Sequence, residues 1–267
     1  MQGKLYNTII LGAEPAGLDL TEKLTLHGHE TALIAANLRY LKKHKLDGCD
    51  IFQKTGVLIN FSHGLFIVSL EDNSIVCGKS LVLATGTRPI KSNLKNSNIL
   101  YNPTGICGKH KNEQAVVFGA DDFAVESALE FSKRFRYVYL CSDCFELVCS
   151  KRLLKKLNET NNIVHLPNSA ILSCKNDKTG HLIEVNLQTY SSIKTSTLLI
   201  SLGRIPDYLA IYKRFINQKS NGFLEVTSNY ESTKVPGLYA IGGLLERCTK
   251  RDLEKLADIL VQKFKEE

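Results

Sequence analysis

The stretch IILGAEPAGL at residues 9–18 decides the fold, because it joins an apolar strand pattern to a glycine turn and a helical pattern. A strand, a Gly-x-Gly-x-x-Gly turn and a helix open a dinucleotide-binding βαβ unit. Gly12 and Gly17 match the first and third glycines, but Glu14 replaces the second, which lets backbone approach a pyrophosphate. A carboxylate ~4 Å from a phosphate charge costs on the order of 4 kcal/mol at an effective dielectric constant of about 20. The turn therefore predicts a nucleotide-binding fold and opposes the phosphates of a nucleotide.

A second strand–turn–helix–strand pattern occupies residues 114–141. Its turn keeps Gly119, whereas Asp121 replaces the second glycine and Ala124 the third. A helix N-terminus presents unpaired N–H groups and a partial positive charge, and Asp is a favoured N-cap residue. We therefore hypothesise that the carboxylates of Glu14 and Asp121 fill the two positions that a pyrophosphate would otherwise take, as caps or internal anions.

The remaining patterns predict an α/β protein built from two such units. Further predicted strands lie at 31–34, 56–62, 64–70, 74–86, 163–166, 169–174, 182–188, 197–203 and within 234–243, and further helices at 151–160 and 250–266. The C-terminal strand and helix complete the first unit. We therefore predict a first domain of residues 1–104 plus 207–267 and an inserted second domain of residues 105–206.

Length and composition fit a globular protein. The chain has 267 residues, 43% of them apolar and 23% charged, which suffices for one large or two ordinary domains. No run reaches the roughly 18 apolar residues of a membrane span, and the N-terminus lacks a signal-peptide layout. We therefore expect a cytoplasmic protein with no membrane partner. The net charge is +7, but the basic clusters at 39–45 and 151–156 lack interleaved aromatic residues, which favours solvated faces over nucleic-acid binding.

Four ordered blocks, which span nearly the whole chain, resemble the low-molecular-weight thioredoxin reductases within the pyridine nucleotide–disulfide oxidoreductases. The blocks are IILGAEPAG (9–17), LVLATGTRP (81–89), AVVFGADDFAVESAL (115–129) and SLGRIPD…GFLEV…VPGLYAIGG (201–243). The resemblance implies two Rossmann-like, three-layer ββα domains, one split by insertion of the other. It also implies a homodimer with FAD in the split domain, NADPH in the inserted domain, and a CxxC dithiol that reduces thioredoxin.

The chain keeps five residues at the family's cofactor positions and departs from the family elsewhere. The kept residues, which we interpret as vestigial or weak cofactor contacts, are Gly12, Gly17, Thr85, Gly86 and Gly119. In the first domain, Ala35 and Ala36 stand where the family has an acid that binds the ribose, the segment 37–55 is shorter than the family's flavin cradle, and Gly242-Gly243 replaces a Gly-Asp pair. In the second domain, CSDC (141–144) stands in place of the basic patch for the 2′-phosphate. Cys107 is the one cysteine in the segment ahead of the second turn, where the family has a CxxC.

These departures lead us to predict a binding or regulatory protein that lost flavin and dithiol catalysis. On this interpretation it is not an enzyme, binds no cofactor or metal, has no catalytic residue and acts on an unidentified protein partner. The alternative is an FAD-dependent NAD(P)H oxidoreductase without an internal CxxC, which passes electrons to an external acceptor or a partner's disulfide. A third hypothesis is a thiol or metal protein that uses Cys141, Cys144 and Cys149, although one CxxC is a weak signal and cytosolic cysteines are usually reduced thiols.

Overall fold

The computed structural model describes residues 4–94, 99–106, 108, 110–207 and 214–265. In chain order, the elements are β1 (Leu5–Leu11), α1 (Pro15–Leu26), β2 (Thr31–Ile34), β3 (Cys49–Phe52), β4 (Gly56–Ser62), β5 (Leu65–Leu70), β6 (Ile75–Leu83), β7 (Thr87–Pro89), β8 (Ile99–Leu100), β9 (His110–Phe118), α2 (Asp122–Ser132), β10 (Phe135–Cys141), α3 (Lys151–Asn158), β11 (Ile163–Leu166), β12 (Ile171–Asn176), β13 (Leu182–Leu187), β14 (Ile193–Lys194), β15 (Thr197–Ile200), β16 (Arg204–Pro206), β17 (Asn217–Gln218), β18 (Leu224–Glu225), β19 (Leu238–Ala240) and α4 (Lys250–Lys263).

The chain divides into two compact units. Unit 1 comprises Met1–Arg88 and Ile205–Glu267, and unit 2 comprises Pro89–Arg204. The sequence analysis predicted that the first domain is interrupted after residue 104 and resumes at residue 207, whereas unit 1 is interrupted after Arg88 and resumes at Ile205. The first boundary differs because β8 pairs in parallel with β15 at the edge of the unit 2 sheet.

Unit 1 is built on a seven-stranded sheet in the order β3-β2-β1-β6-β5-β4, and β19 also pairs with β6. Strands β3, β2, β1, β6 and β19 run parallel, whereas β4, β5 and β6 are antiparallel neighbours. Since parallel strands end at the same edge, the carboxyl ends of β1, β2 and β3 lie together with the first glycine turn. This edge is where open α/β sheets bind ligands.

The two faces of β1 bury alternate side chains, as a strand with both faces covered requires. Ile10 belongs to a core that includes Leu18 and Leu20 of α1 and Leu256 of α4. On the other face, Ile9 packs in a core with β5. The wholly apolar run that the sequence shows before the turn is therefore explained by burial on both faces.

Unit 2 repeats this plan as three layers. Its parallel sheet has the order β11-β10-β9-β15-β8, and the antiparallel strands β12-β13-β14 form a separate sheet. Val117 of β9 packs with α2 and α3, whereas Val116 packs with Leu182 and Val185 of β13. The layers are thus two helices, the parallel sheet and the three-stranded sheet.

Within the described part of the chain, none of the helices has the length and apolar character that crossing a membrane requires.

Candidate functional site

Gly12 and Gly17 hold α1 close to the strands of unit 1. Gly12 has a φ of +119°, and a Cβ there would overlap the carbonyl of Ala84 at the end of β6. A Cβ on Gly17 would overlap the carbonyl oxygen of Gly12. Neither position therefore has space for a side chain. Such close backbone packing is what the first and third glycines of a dinucleotide turn provide.

A cleft of about 280 Å³, here the strand cleft, opens beside this turn at the carboxyl ends of β1 and β2. Its lining residues are 11–14, 34–37, 54–56, Thr85 and Asp207. Ala35 and Ala36 lie in this wall, so the position where the resemblance implies a ribose-binding acid has no carboxylate. The cleft has the location expected for the adenosine part of a dinucleotide in this fold.

Glu14 does not cap α1, so of the two alternatives, a cap or an internal anion, the cap is wrong for this residue. It is the N-cap residue of α1, but its side chain makes no capping hydrogen bond. Instead, its Oε1 accepts a hydrogen bond from Nη2 of Arg39 at 2.8 Å. The side chains are 37% and 42% exposed, so the pair contributes about 0–1 kcal/mol to stability. The Glu14 charge is therefore balanced by Arg39 rather than by the helix.

Asp121 does cap α2, as hypothesised. Its Oδ1 accepts hydrogen bonds from the backbone N–H of Ala124 and the hydroxyl of Ser201, both at 2.9 Å. Gly119 has a φ of +146°, and a Cβ there would lie 2.5 Å from the carbonyl oxygen of Ser201. The neighbouring Asp122 accepts a hydrogen bond from the N–H of Ser150 at 2.6 Å. The anion position at this turn is thus occupied by a side chain of the protein itself.

Thr85 and Gly86, between β6 and β7, are hydrogen-bonded to Asp207. The hydroxyl of Thr85 donates to the carbonyl oxygen of Asp207, and the N–H of Asp207 donates to the carbonyl oxygen of Gly86 at 2.8 Å. Gly86 has a φ of +74°, a conformation that favours glycine. The Thr85 hydroxyl therefore has a structural partner, and Thr85 also lines the strand cleft.

A second cleft of about 410 Å³, here the loop cleft, lies on the other side of Glu14. Its lining residues are 14–16, 84, 86–87, 242–243 and 245–248. A Cβ on Gly242 or Gly243 would lie 2.8 Å from the side chain of Ala16 or Thr87, respectively, so both glycines are in close contact with their surroundings. Gly243 stands where the resemblance implies an aspartate.

The thiol and metal hypothesis gains no support from the geometry. Cys141 is fully buried, and burial raises the pKa of its thiol to about 12, so it stays protonated at neutral pH. The thiol of Cys144 donates to the carbonyl oxygen of Glu146 at 3.0 Å. The seven described cysteines are free thiols, and the described residues contain no group of three or more side chains suited to a metal ion. Cys107 lies outside the described residues.

Sequence reasoning missed Arg39, because it lies in a basic cluster that we interpreted as a solvated face. Its backbone N–H donates to Oδ1 of Asn37 at 2.9 Å, and its guanidinium lies 4.7 Å from the ring centroid of Tyr40. The signal that could have identified it is its position just after β2, with an Asn two residues before it that can close an Asx turn.

Comparisons with known proteins agree with this architecture. Residues 43–255 match the family described as pyridine nucleotide-disulphide oxidoreductase. The thioredoxin reductase of Buchnera aphidicola subsp. Acyrthosiphon pisum is 25% identical over 76% of this chain and 69% of its own length. That of Mycoplasmopsis pulmonis is 23% identical over 96% of this chain and 95% of its own length. The crystal structure of Lactococcus lactis thioredoxin reductase in its FR conformation superposes with a TM-score of 0.85 at 16% identity, and covers 97% of this chain and 98% of that one.

These findings confirm the predicted fold and overturn two other predictions. The structural match confirms the α/β fold of thioredoxin-reductase type with two Rossmann-like units. The prediction that the chain is not an enzyme is wrong, because the matching family consists of oxidoreductases and the relatives are named reductases. The prediction that it binds no cofactor is wrong for the same reason, since the description of the family names a pyridine nucleotide. The error came from treating each departure from the motif as the loss of a function.

Proposed function

Since the chain belongs to the pyridine nucleotide-disulphide oxidoreductase family, we propose that it is an FAD-dependent NAD(P)H oxidoreductase. On this proposal, it passes electrons to an external acceptor or to the disulfide of a partner protein. The observation that carries the proposal is the strand cleft at the Gly12 turn, on the ligand-binding edge of a sheet of this family's fold.

The residues of unit 1 fit the adenosine half of FAD. Gly12 and Gly17 bring the start of α1 close to the strand ends, and the small side chains of Ala35 and Ala36 leave room in the strand cleft. The backbone at Gly12 and Ala13 would face the nucleotide there. Bound FAD would supply the ability to accept a hydride from NAD(P)H and to release electrons to an acceptor.

The second turn fits a pyrophosphate less well. The Asp121 carboxylate already accepts two hydrogen bonds there, so a phosphate would have to displace it. We therefore assign no diphosphate contact to Gly119 and treat NAD(P)H as an electron-donating substrate.

An external acceptor is proposed because the described thiols provide no internal redox pair. Cys141 is buried and protonated, and the thiol of its CxxC partner Cys144 donates a hydrogen bond to a backbone carbonyl oxygen. The resemblance also supports a homodimer, which size-exclusion chromatography with light scattering would test.

The test begins with the absorbance spectrum of the freshly purified protein, followed by titration with FAD. We expect flavin bands in the purified protein or saturable FAD uptake, and then consumption of NADH or NADPH when ferricyanide is added as an artificial acceptor. A colourless protein that takes up no FAD at millimolar concentration would overturn the proposal. Cys107→Ser is the matched control, since turnover with ferricyanide should not change if no internal dithiol takes part.

A further inference from the structure

The strand cleft and the loop cleft meet at one side chain. Among the described residues, Glu14 is the one that lines both. Its aliphatic part lies against Gly86, since a Cβ on Gly86 would be 2.9 Å from Cγ of Glu14. The side chain thus lies between the start of α1 and Gly86, at the boundary of the two clefts.

Each cleft alone is small for a dinucleotide. Pockets for drug-sized ligands span about 300–1,000 Å³. The strand cleft, at about 280 Å³, lies just below this range, and the loop cleft, at about 410 Å³, lies near its lower end. Taken together, the two clefts fall well inside that range. A ligand with a nucleoside at one end and a second ring system at the other would need both clefts, and its diphosphate would cross at Glu14.

Arg39, the partner of Glu14, is well suited to bind a phosphate. Arg39 presents a planar group of N–H donors that can bind a phosphate in a bidentate manner, and at present one of them is donated to Glu14 at 2.8 Å. Both side chains are more than one-third exposed, and exposed ion pairs are weak. A diphosphate can therefore compete for Arg39 if Glu14 rotates away.

We propose that the Glu14–Arg39 ion pair is a gate on the cofactor groove, which closes the crossing between the two clefts and opens when a diphosphate takes Arg39 from Glu14. This inference rests on the proposed function. Glu14 acts as a positioning residue that lowers the affinity for diphosphates, and Arg39 contacts the diphosphate directly. The gate lowers the affinity for diphosphates but not for an uncharged nucleoside, since a nucleoside in the strand cleft does not need to open it.

Isothermal titration calorimetry with adenosine, ADP and FAD tests the gate. We expect Glu14→Gln to lower the Kd for ADP and FAD about tenfold and to leave adenosine unchanged, because only the charge facing the phosphates is lost. Arg39→Gln should raise the Kd for ADP and FAD about tenfold, again with no change for adenosine. Glu14→Gly also removes the side chain from the crossing, so it should bind FAD at least as tightly as Glu14→Gln.

The matched control is Glu254→Gln, which removes the same charge from an exposed pair with Lys23 that lines neither cleft. The gate is refuted if the Glu14 variants bind ADP and FAD like the wild type, or if adenosine affinity changes as much as ADP affinity. Wild-type FAD binding without an effect of Glu14 would refute the gate and leave the proposed function intact. FAD binding by both Glu14 variants but not by the wild type would support the gate and refute the proposed function, and no FAD binding by the wild type or any variant would refute both.

Discussion

Asp121 is the residue whose role the sequence and the structure both define. Its side chain caps α2 and also accepts the Ser201 hydroxyl. We expect Asp121→Ala to lower the free energy of unfolding by about 1–2 kcal/mol, because the capping bond is lost and a polar partner is left without an acceptor. Asp121→Asn keeps an acceptor oxygen and should cost much less. Urea unfolding of the two variants measures the difference, and equal losses would show that the negative charge matters more than the capping bond.

His29 makes stability depend on pH below neutrality. It is 6% exposed, its Nε2 lies 2.8 Å from the hydroxyl of Thr8, and burial lowers its pKa from 6.5 to about 4. Between these two pH values the unfolded chain binds a proton that the folded chain does not, so stability rises with pH across this window. Its contribution is fully present above pH 6.5 and falls as the pH drops towards 4.

The pH effect of His29 can be isolated by comparison with His29→Gln. One pKa unit corresponds to about 1.36 kcal/mol. The lowered pKa of His29 should therefore reduce the free energy of unfolding of the wild type by about 3 kcal/mol between pH 7 and pH 4. The stability advantage of the wild type over His29→Gln should therefore shrink by that order as the pH falls, as measured by urea unfolding at both pH values. An advantage that is constant across this range would contradict the lowered pKa.

Residue types alone located one carboxylate at each glycine turn, but not what each carboxylate does. A short Asp side chain at an N-cap position reaches the third backbone N–H of its helix, so the role of Asp121 was predictable. The longer Glu14 side chain extends away from α1 to Arg39, which is distant in sequence. That partner depends on how the segment after β2 turns back, which no local pattern specifies.

At the scale of elements, the first glycine turn is constrained by packing as well as by ligands. We expect Gly12→Ala to lower the free energy of unfolding by more than about 2 kcal/mol, because the new Cβ overlaps the carbonyl of Ala84 and φ is +119°. Gly28→Ala is the matched control, since Gly28 also has a positive φ, of +70°, but no atom lies within 4 Å of its added Cβ. That change should cost about 1 kcal/mol. Thermal or urea unfolding without FAD compares them, and similar losses would mean that packing does not require Gly12.

The elements themselves were largely predictable, because most follow from apolar periodicity. The run before the Gly12 turn predicted β1, and burial of both faces of that strand explains why the run is uninterrupted. The domain boundary was less predictable. It depends on β8, a strand of two residues that joins the unit 2 sheet through long-range pairing and has no recognisable pattern of its own.

At the scale of the whole molecule, two units of similar plan differ at their glycine turns, and FAD should distinguish them. In unit 1 the Glu14 side chain leaves the first turn of α1 without a side-chain cap, whereas in unit 2 Asp121 caps α2. FAD at 100 times its Kd stabilises a folded protein by about 2.7 kcal/mol, so the melting temperature should rise with FAD concentration. Hydrogen exchange of the full chain should then show protection at residues 12–17 and no change at 119–124.

This exchange pattern separates three arrangements of the cofactor. Protection confined to the first glycine turn, at residues 12–17, agrees with FAD in the clefts of unit 1, because the diphosphate would lie over the uncapped N-terminus of α1. Protection at both turns would mean that a phosphate displaces Asp121, and Asp121→Ala should then tighten binding although it weakens the fold. Protection at the second turn alone would place the cofactor in unit 2. In that case Glu14→Gln should have no effect on FAD affinity, so one measurement on the intact chain tests both the site and the gate that controls it.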